Sequence, residues 1–200
     1  GFGFAAMNLA EQQGTGLRHM VSTGNGSDIS ILELLDAYID DPGTRVAFGH
    51  LEGMGDGRGL IELGARSLAA RKPVLIWKAA RSEVGSRAAR SHTGNLAGSY
   101  DIFRRVAAEA GLIEVGDVEE VADIAKLAAT GRLADGNGVG VLSVSGGSGI
   151  VFADAAVAGG LALPSFGAGT HAALRKVIPA FGSIENPADV TAGIFNHPKL

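Results

Sequence analysis

Apolar residues recur at Ile31, Leu34, Leu35, Tyr38 and Ile39, a spacing of three and four that lines one face of a helix. Its start is marked twice. Ser30 and Glu33 form a capping box, the hydroxyl accepting from the third helical amide while the carboxylate reaches back, and Ile29 can staple onto Leu34. Asp41-Pro42-Gly43 ends this helix, and Phe2-Gly3-Phe4-Ala5-Ala6-Met7 follows a helical apolar pattern of its own. Residues 17–22 predict a strand, as do 45–49, 73–78 and 112–115. Helices are expected at 59–70, at 98–110 and from an Asp117 cap to about residue 129. Val74-Leu75-Ile76-Trp77 is continuously apolar, which suits a parallel strand covered on both faces.

Strands and helices therefore alternate. Short parallel strands joined by helices make right-handed crossovers, so the fold class is α/β with a doubly wound parallel sheet. The stretch "GRLADGNG" at 131–138 has the polarity and glycine of a linker, dividing a first domain at 1–130 from a second at 139–200. The second opens with a strand at 138–144, a tight turn "SGGSG" and a helix at 150–158, and the expectation is that it is incomplete. Gly1 leads straight into an apolar helical pattern without an initiator methionine, so the chain is expected to be a piece of something longer. No internal repeat is evident.

Composition narrows the classes. With 200 residues, 46% apolar and 19% charged, the chain has the material for one large or two modest cores. A net charge of −4 with scattered basic residues gives no nucleic-acid footprint. No cysteine is present and the five histidines lack ligand-like spacing, so neither a disulfide framework nor a metal site is predicted. No apolar run approaches the roughly 18 residues of a membrane span, and a soluble, cytoplasmic protein is expected.

Ligands of open α/β sheets collect beyond the carboxyl ends of the strands. Glu52 follows one predicted strand; Arg81 and then His92, in "RAARSHTGNLAGSYD", follow another. The neutral imidazole of His92 is a nucleophile near pH 7 and could accept a phosphoryl group, although a loop histidine is also an ordinary surface residue. Glu52 is the candidate to hold the other ring nitrogen, its alternative being a solvent-facing acid. Arg81 would help neutralise a phosphoryl group if it faces the site, and is otherwise a strand-end charge, as is Lys78. Asp56 and Arg58 read as loop or capping residues, and Asn25 and Asp28 as turn and cap residues. Ser145, Gly146, Gly147, Ser148 and Gly149 could turn free amides toward an anion at a helix start, or could simply pack tightly.

"KAARSEVGSRAARSHTGNLAG", residues 78–98, closely resembles the signature loop of NDP-forming acyl-CoA synthetases, the ADP-forming acetate-CoA ligase family related to succinyl-CoA synthetase. "VSTGNGSDIS", "DDPGTRVAFGHLEGMGDGR", "GLIEVGDVEEVADIA", "SVSGGSGIVFADAAVAGGL" and "IENPADV" follow the family's order, so the resemblance spans most of the chain. It implies two flavodoxin-like domains, a phosphohistidine at His92 supported by Glu52, and helix amino termini cradling the phosphoryl group, one of them at Ser145–Gly149. The other would follow a turn at or before Gly1. Acyl-CoA, phosphate and ADP would be interconverted with carboxylic acid, CoA and ATP through acyl phosphate and phospho-His92. The resemblance also implies a mobile loop, with Gly85, Gly94 and Gly98 lending freedom around His92. Ala80 departs from the family's usual glycine.

The implied partners are a CoA-binding Rossmann domain and an ATP-grasp domain, on the same chain or another subunit, with a small carboxylic acid or acyl-CoA as substrate. CoA and ADP/ATP with Mg2+ would serve the complete enzyme, bound mainly outside this region, with none held tightly by this chain alone. An oligomer is expected, and the fragment by itself is expected to be inactive. Two alternatives stand beside this reading: a CoA-responsive ligase-like regulatory half of a protein lysine acetyltransferase, in which the histidine is often lost, and a simple flavodoxin-like module for FMN or a nucleotide.

Overall fold

The computed structural model describes residues 2–53, 57–93, 98–132 and 134–196, and for 2, 92, 93 and 196 the backbone alone. The chain divides into two compact units, Gly1–Leu133 and Ala134–Leu200.

The first unit runs α1 (Phe2–Gln12), α2 (Ile31–Asp40), β1 (Ala47–Leu51), α3 (Arg58–Ala70), β2 (Val74–Lys78), α4 (Glu83–Thr93), α5 (Tyr100–Glu109), β3 (Ile113–Glu114) and α6 (Val118–Ala129). Its three strands lie in the order β1-β2-β3, all parallel, with Ala47 opposite Val74, Leu51 opposite Lys78 and Leu75 opposite Ile113. Side chains alternate across a strand, so β2 serves two layers. Val74 and Ile76 join Leu35 and Ile39 of α2, Leu60 and Leu63 of α3, and Phe103 and Ala107 of α5 in one buried cluster. Leu75 joins Val115 and Val121 of α6 in another. Helices thus cover both faces of a parallel sheet, as the continuously apolar β2 predicts.

Local signals hold where they are self-contained. The Ser30 hydroxyl accepts from the Glu33 amide at 3.2 Å, and the Ser30 amide donates to Glu33 Oε2 at 2.8 Å, completing the capping box. Asp117 accepts from the Glu120 amide at 2.8 Å and starts α6. At Gly64 the backbones of α3 and the end of α5 approach so closely that a Cβ would sit 2.6 Å from the Ala110 Cβ, and nearer still to its carbonyl oxygen.

Residues 17–22 are not a strand. They run irregularly beside α2, with Leu17 52% and Val21 58% exposed, because extended propensity becomes a strand only where a ladder partner exists. Asp41, at the end of α2, tethers them instead: Arg18 donates to its two oxygens at 2.5 and 3.0 Å. Those bonds from Arg18, with one from the Thr44 hydroxyl, hold the Asp41 carboxyl far below the usual carboxylate range.

The second unit comprises β4 (Leu142–Ser143), α7 (Gly146–Ala158), α8 (Ala168–Leu174), β5 (Ala188–Asp189) and a 3-10 helix (Ala192–Asn196), with β4 and β5 parallel. The strand expected over 138–144 contracts to Leu142–Ser143, with Gly138 making an isolated bridge to Ala162. Asn186 stitches this region together: its amide nitrogen donates to the carbonyls of Val139 and Pro164, and its oxygen accepts from the Val141 amide.

Candidate active site

β1 and β2 end level with each other, and this sets the site in the first unit. Leu51 pairs with Lys78, and the Ala79 amide donates to the Leu51 carbonyl at 2.8 Å, so Glu52 and the link into α4 leave the sheet at one carboxyl edge. Glu52 is half-buried, and its Oε2 is shut off from water. Beneath it lies Lys78, only 1% exposed, whose ammonium donates to the Glu52 carbonyl at 2.9 Å and to the Ala79 carbonyl at 2.6 Å. Burial lowers the Lys78 pKa; the Arg81 charge lowers it further, while Glu52 works the other way. His50 on β1 packs edge-on against Trp77 at 5.8 Å, and burial depresses its pKa against the pull of Glu52.

The β2–α4 link is narrowly constrained. Ala80 adopts φ +59°, a left-handed backbone in a residue with a side chain. The Ser86 hydroxyl donates to the Ala80 carbonyl at 3.1 Å, and the Ser82 hydroxyl accepts from the Gly85 amide at 3.1 Å. A Cβ on Gly85 would meet the Ala80 Cα at 3.3 Å, so this glycine serves a close approach. The loop conformation expected up to His92 is corrected here: residues 83–93 are α4, and His92 lies in its last turn. The signal was present in Ser82-Glu83 at the helix start and Arg87-Ala88-Ala89-Arg90 within it, outweighed by serine and glycine. The His92 side chain lies outside the described residues, as do Met54–Asp56 with the Asp56 reading, Gly94 of the loop, and the turn expected at Gly1.

Arg81 faces mainly toward the strand ends. Its Nε donates to the Lys78 carbonyl at 2.9 Å and its Nη2 to the Val115 carbonyl at 2.6 Å, with Glu114 3.5 Å away and the Tyr100 ring centroid 5.6 Å below. A cleft of about 510 Å³ opens beside it, lined by Ser82, Ser86, Arg87, Arg90, Ser99 and Tyr100 among others. Sequence reading singled out Arg81 and passed over Arg87 and Arg90.

In the second unit, "SGGSG" is not a turn before a helix but the cap and first turn of α7. Ser145 is the cap, accepting from the Ser148 amide at 3.5 Å, and Gly146, Gly147, Ser148 and Gly149 are helical. A Cβ at Gly149 would meet the Pro187 Cβ at 3.2 Å, and one at Gly146 would meet Asp189 Oδ2 at 3.1 Å. The glycines let β5 approach, and they bring a carboxylate to the helix start. A cavity of about 360 Å³ lies there, with Ser143, Ser145, Gly146 and Asp189 in its lining. Among the described residues, no group of three or more His, Asp or Glu could hold a metal ion. No described helix is long and apolar enough to cross a membrane.

Residues 1–128 match the family "Succinyl-CoA ligase like flavodoxin domain", and residues 139–198 match "Ligase-CoA domain". The chain belongs to the NDP-forming acyl-CoA synthetase family. It is similar to Acetate--CoA ligase [ADP-forming] I of Archaeoglobus fulgidus, 38% identical over 94% of this chain and 27% of that protein. The alpha subunit of Acetate--CoA ligase [ADP-forming] I of Pyrococcus furiosus is 34% identical over 94% of this chain and 40% of that one. The solved structure of Ca. Korarchaeum cryptofilum dinucleotide forming acetyl-coenzyme A synthetase 1, in complex with phosphate and ADP, superposes with a TM-score of 0.86 at 34% identity. That match covers 95% of this chain and 41% of that one. The chain therefore spans between about a quarter and two fifths of the length of these relatives.

Proposed function

We propose that this chain is the phosphohistidine-bearing core of an NDP-forming acyl-CoA ligase. The observation that carries the reading is the level ending of β1 and β2, which brings Glu52 and the link to the His92 helix to one edge of the sheet.

Three reversible steps follow. A phosphate oxygen attacks the thioester carbonyl of acyl-CoA; the C–O bond forms, the C–S bond breaks, and CoA leaves as the thiol. The His92 imidazole then attacks phosphorus of the acyl phosphate, forming a P–N bond as the P–O bond to the carboxylate breaks. Finally a terminal oxygen of ADP takes the phosphoryl group, and ATP and free imidazole are released. Phosphoryl transfer demands positioning and charge neutralisation more than covalent assistance.

In this reading Glu52 accepts from the ring nitrogen of His92 that does not carry the phosphoryl group, which fixes the tautomer and aims the other lone pair. Arg81 contributes positive charge from the rim of the Arg87–Arg90 cleft, its Nε and Nη2 being bound to carbonyls. The Ser145–Gly149 amides offer a second anion cradle. CoA, the nucleotide and its Mg2+ are held mainly by the CoA-binding and ATP-grasp parts of the enzyme, in an oligomer acting in the cytoplasm on a small carboxylic acid.

The half-reactions test this assignment. In the complete ligase, His92→Ala should still form acyl phosphate from acyl-CoA and phosphate, but should lose ATP formation from acyl phosphate and ADP by at least about 1,000-fold. ATP formation at the wild-type rate would remove His92 from the path.

A further inference from the structure

We propose that Lys78 is a positioning residue for phosphoryl transfer: its buried ammonium pins the Glu52 segment to the end of β2 and so fixes the carboxylate that serves His92. The inference rests on the reading of Glu52 and His92 given above.

The position is an unusual one for lysine. Strand parity sets residue 78 on the same face as Val74 and Ile76, both fully buried, and Lys78 follows them inward at 1% exposure. Lysine is almost never buried to this degree unless its charge is partnered. Here the partners are the carbonyls of Glu52, at 2.9 Å, and Ala79, at 2.6 Å. The first of these belongs to the residue whose side chain the mechanism needs. One ammonium therefore joins the outgoing backbones of β1 and β2 just where the ladder stops.

An ordinary strand-end pin could be neutral, since the ladder already continues through the Ala79 amide to the Leu51 carbonyl at 2.8 Å. The Glu52 charge raises the Lys78 pKa, so carboxylate and ammonium lie within electrostatic reach of each other. Among the described residues, His50 from β1 and Arg81 from the β2–α4 link also interact with this pair, with Glu114 of β3 beyond Arg81. Lys78 thus ties down the backbone from which the carboxylate projects and sets a cation within its electrostatic reach. Displacement of a catalytic carboxylate by about an ångström is enough to lose two orders of magnitude in rate.

The test is a mutant cycle in the complete ligase, reading the rate at which labelled ATP phosphorylates His92. Lys78→Met fills a similar volume without donor or charge. It should melt cooperatively near the wild-type temperature yet label about 10- to 100-fold more slowly. Lys78→Arg, which keeps charge and donors, should recover most of the rate. On a Glu52→Gln background, Lys78→Met should cost little more, because the interaction it supports is already gone. Should Lys78→Met fail to fold, Lys78→Gln takes its place in the same cycle. Wild-type labelling by Lys78→Met, no recovery in Lys78→Arg, or a full additional loss on the Glu52→Gln background would each overturn the inference. A wild-type enzyme that takes no label on His92 fails differently: it removes the reading of the site itself.

Discussion

At the scale of single residues, Ala80 carries a measurable cost. Its φ of +59° lies in the left-handed region, which costs an L-residue with a side chain roughly 1–2 kcal/mol. Ala80→Gly relieves that strain while giving the unfolded chain more freedom, so a net stabilisation of about 1 kcal/mol is expected, raising the melting temperature by about 2–4 °C. A lower melting temperature would show that the left-handed backbone costs less than the freedom glycine adds to the unfolded chain. The sequence made Ala80 visible only as a departure from the family's glycine; the backbone angle supplies the reason glycine suits the place. Lys78 was more nearly legible. Two residues beyond Ile76 and four beyond Val74, it shares their strand face, but a charge at the end of an apolar run reads equally well as a solvated tip.

Elements were legible where their signals were local. The Ser30–Glu33 box and the Asp117 cap needed only neighbouring residues, and α2 and α6 start where those residues put them. Residues 17–22 have the composition of a strand, but pairing depends on a partner distant in the sequence, and the structure gives them an ion pair to Asp41 instead. α4 failed as a sequence reading for the opposite reason. Serine and glycine suggested a loop, whereas Gly85 is needed because α4 passes close to Ala80. Close packing also governs the contact of α3 with the end of α5. Gly64→Ala would drive a methyl group into the Ala110 backbone, and should destabilise the protein by about 1–3 kcal/mol, seen as a melting temperature lower by several degrees. An unchanged melt would mean that the two helices separate without cost.

At the scale of the whole molecule, fold class and family were both readable. Alternation of strand and helix predicted the parallel sheet with helices on both faces, and the ordered motifs from "VSTGNGSDIS" to "IENPADV" carried the resemblance that the family matches bear out. What the sequence could not supply was the orientation of the polar groups. Lys78 ends β2 and Arg81 follows it, yet Arg81 reaches the carbonyls of Lys78 and Val115 while Lys78 turns beneath Glu52. In the second unit, the glycines that suggested an anion cradle also admit the Asp189 carboxylate. The first unit holds the sheet edge at Glu52 and the helix that bears His92, and these relatives are more than twice as long as this chain.

If His92 is the phosphoryl acceptor, the covalent adduct itself can be detected. Complete ligase incubated with radiolabelled ATP, then denatured, should retain a phosphoryl group that acid removes and base does not, as a P–N bond requires. Wild type should be stably labelled, Glu52→Gln less so, and His92→Ala not at all. Acid-labile, base-stable label persisting in His92→Ala would contradict this assignment.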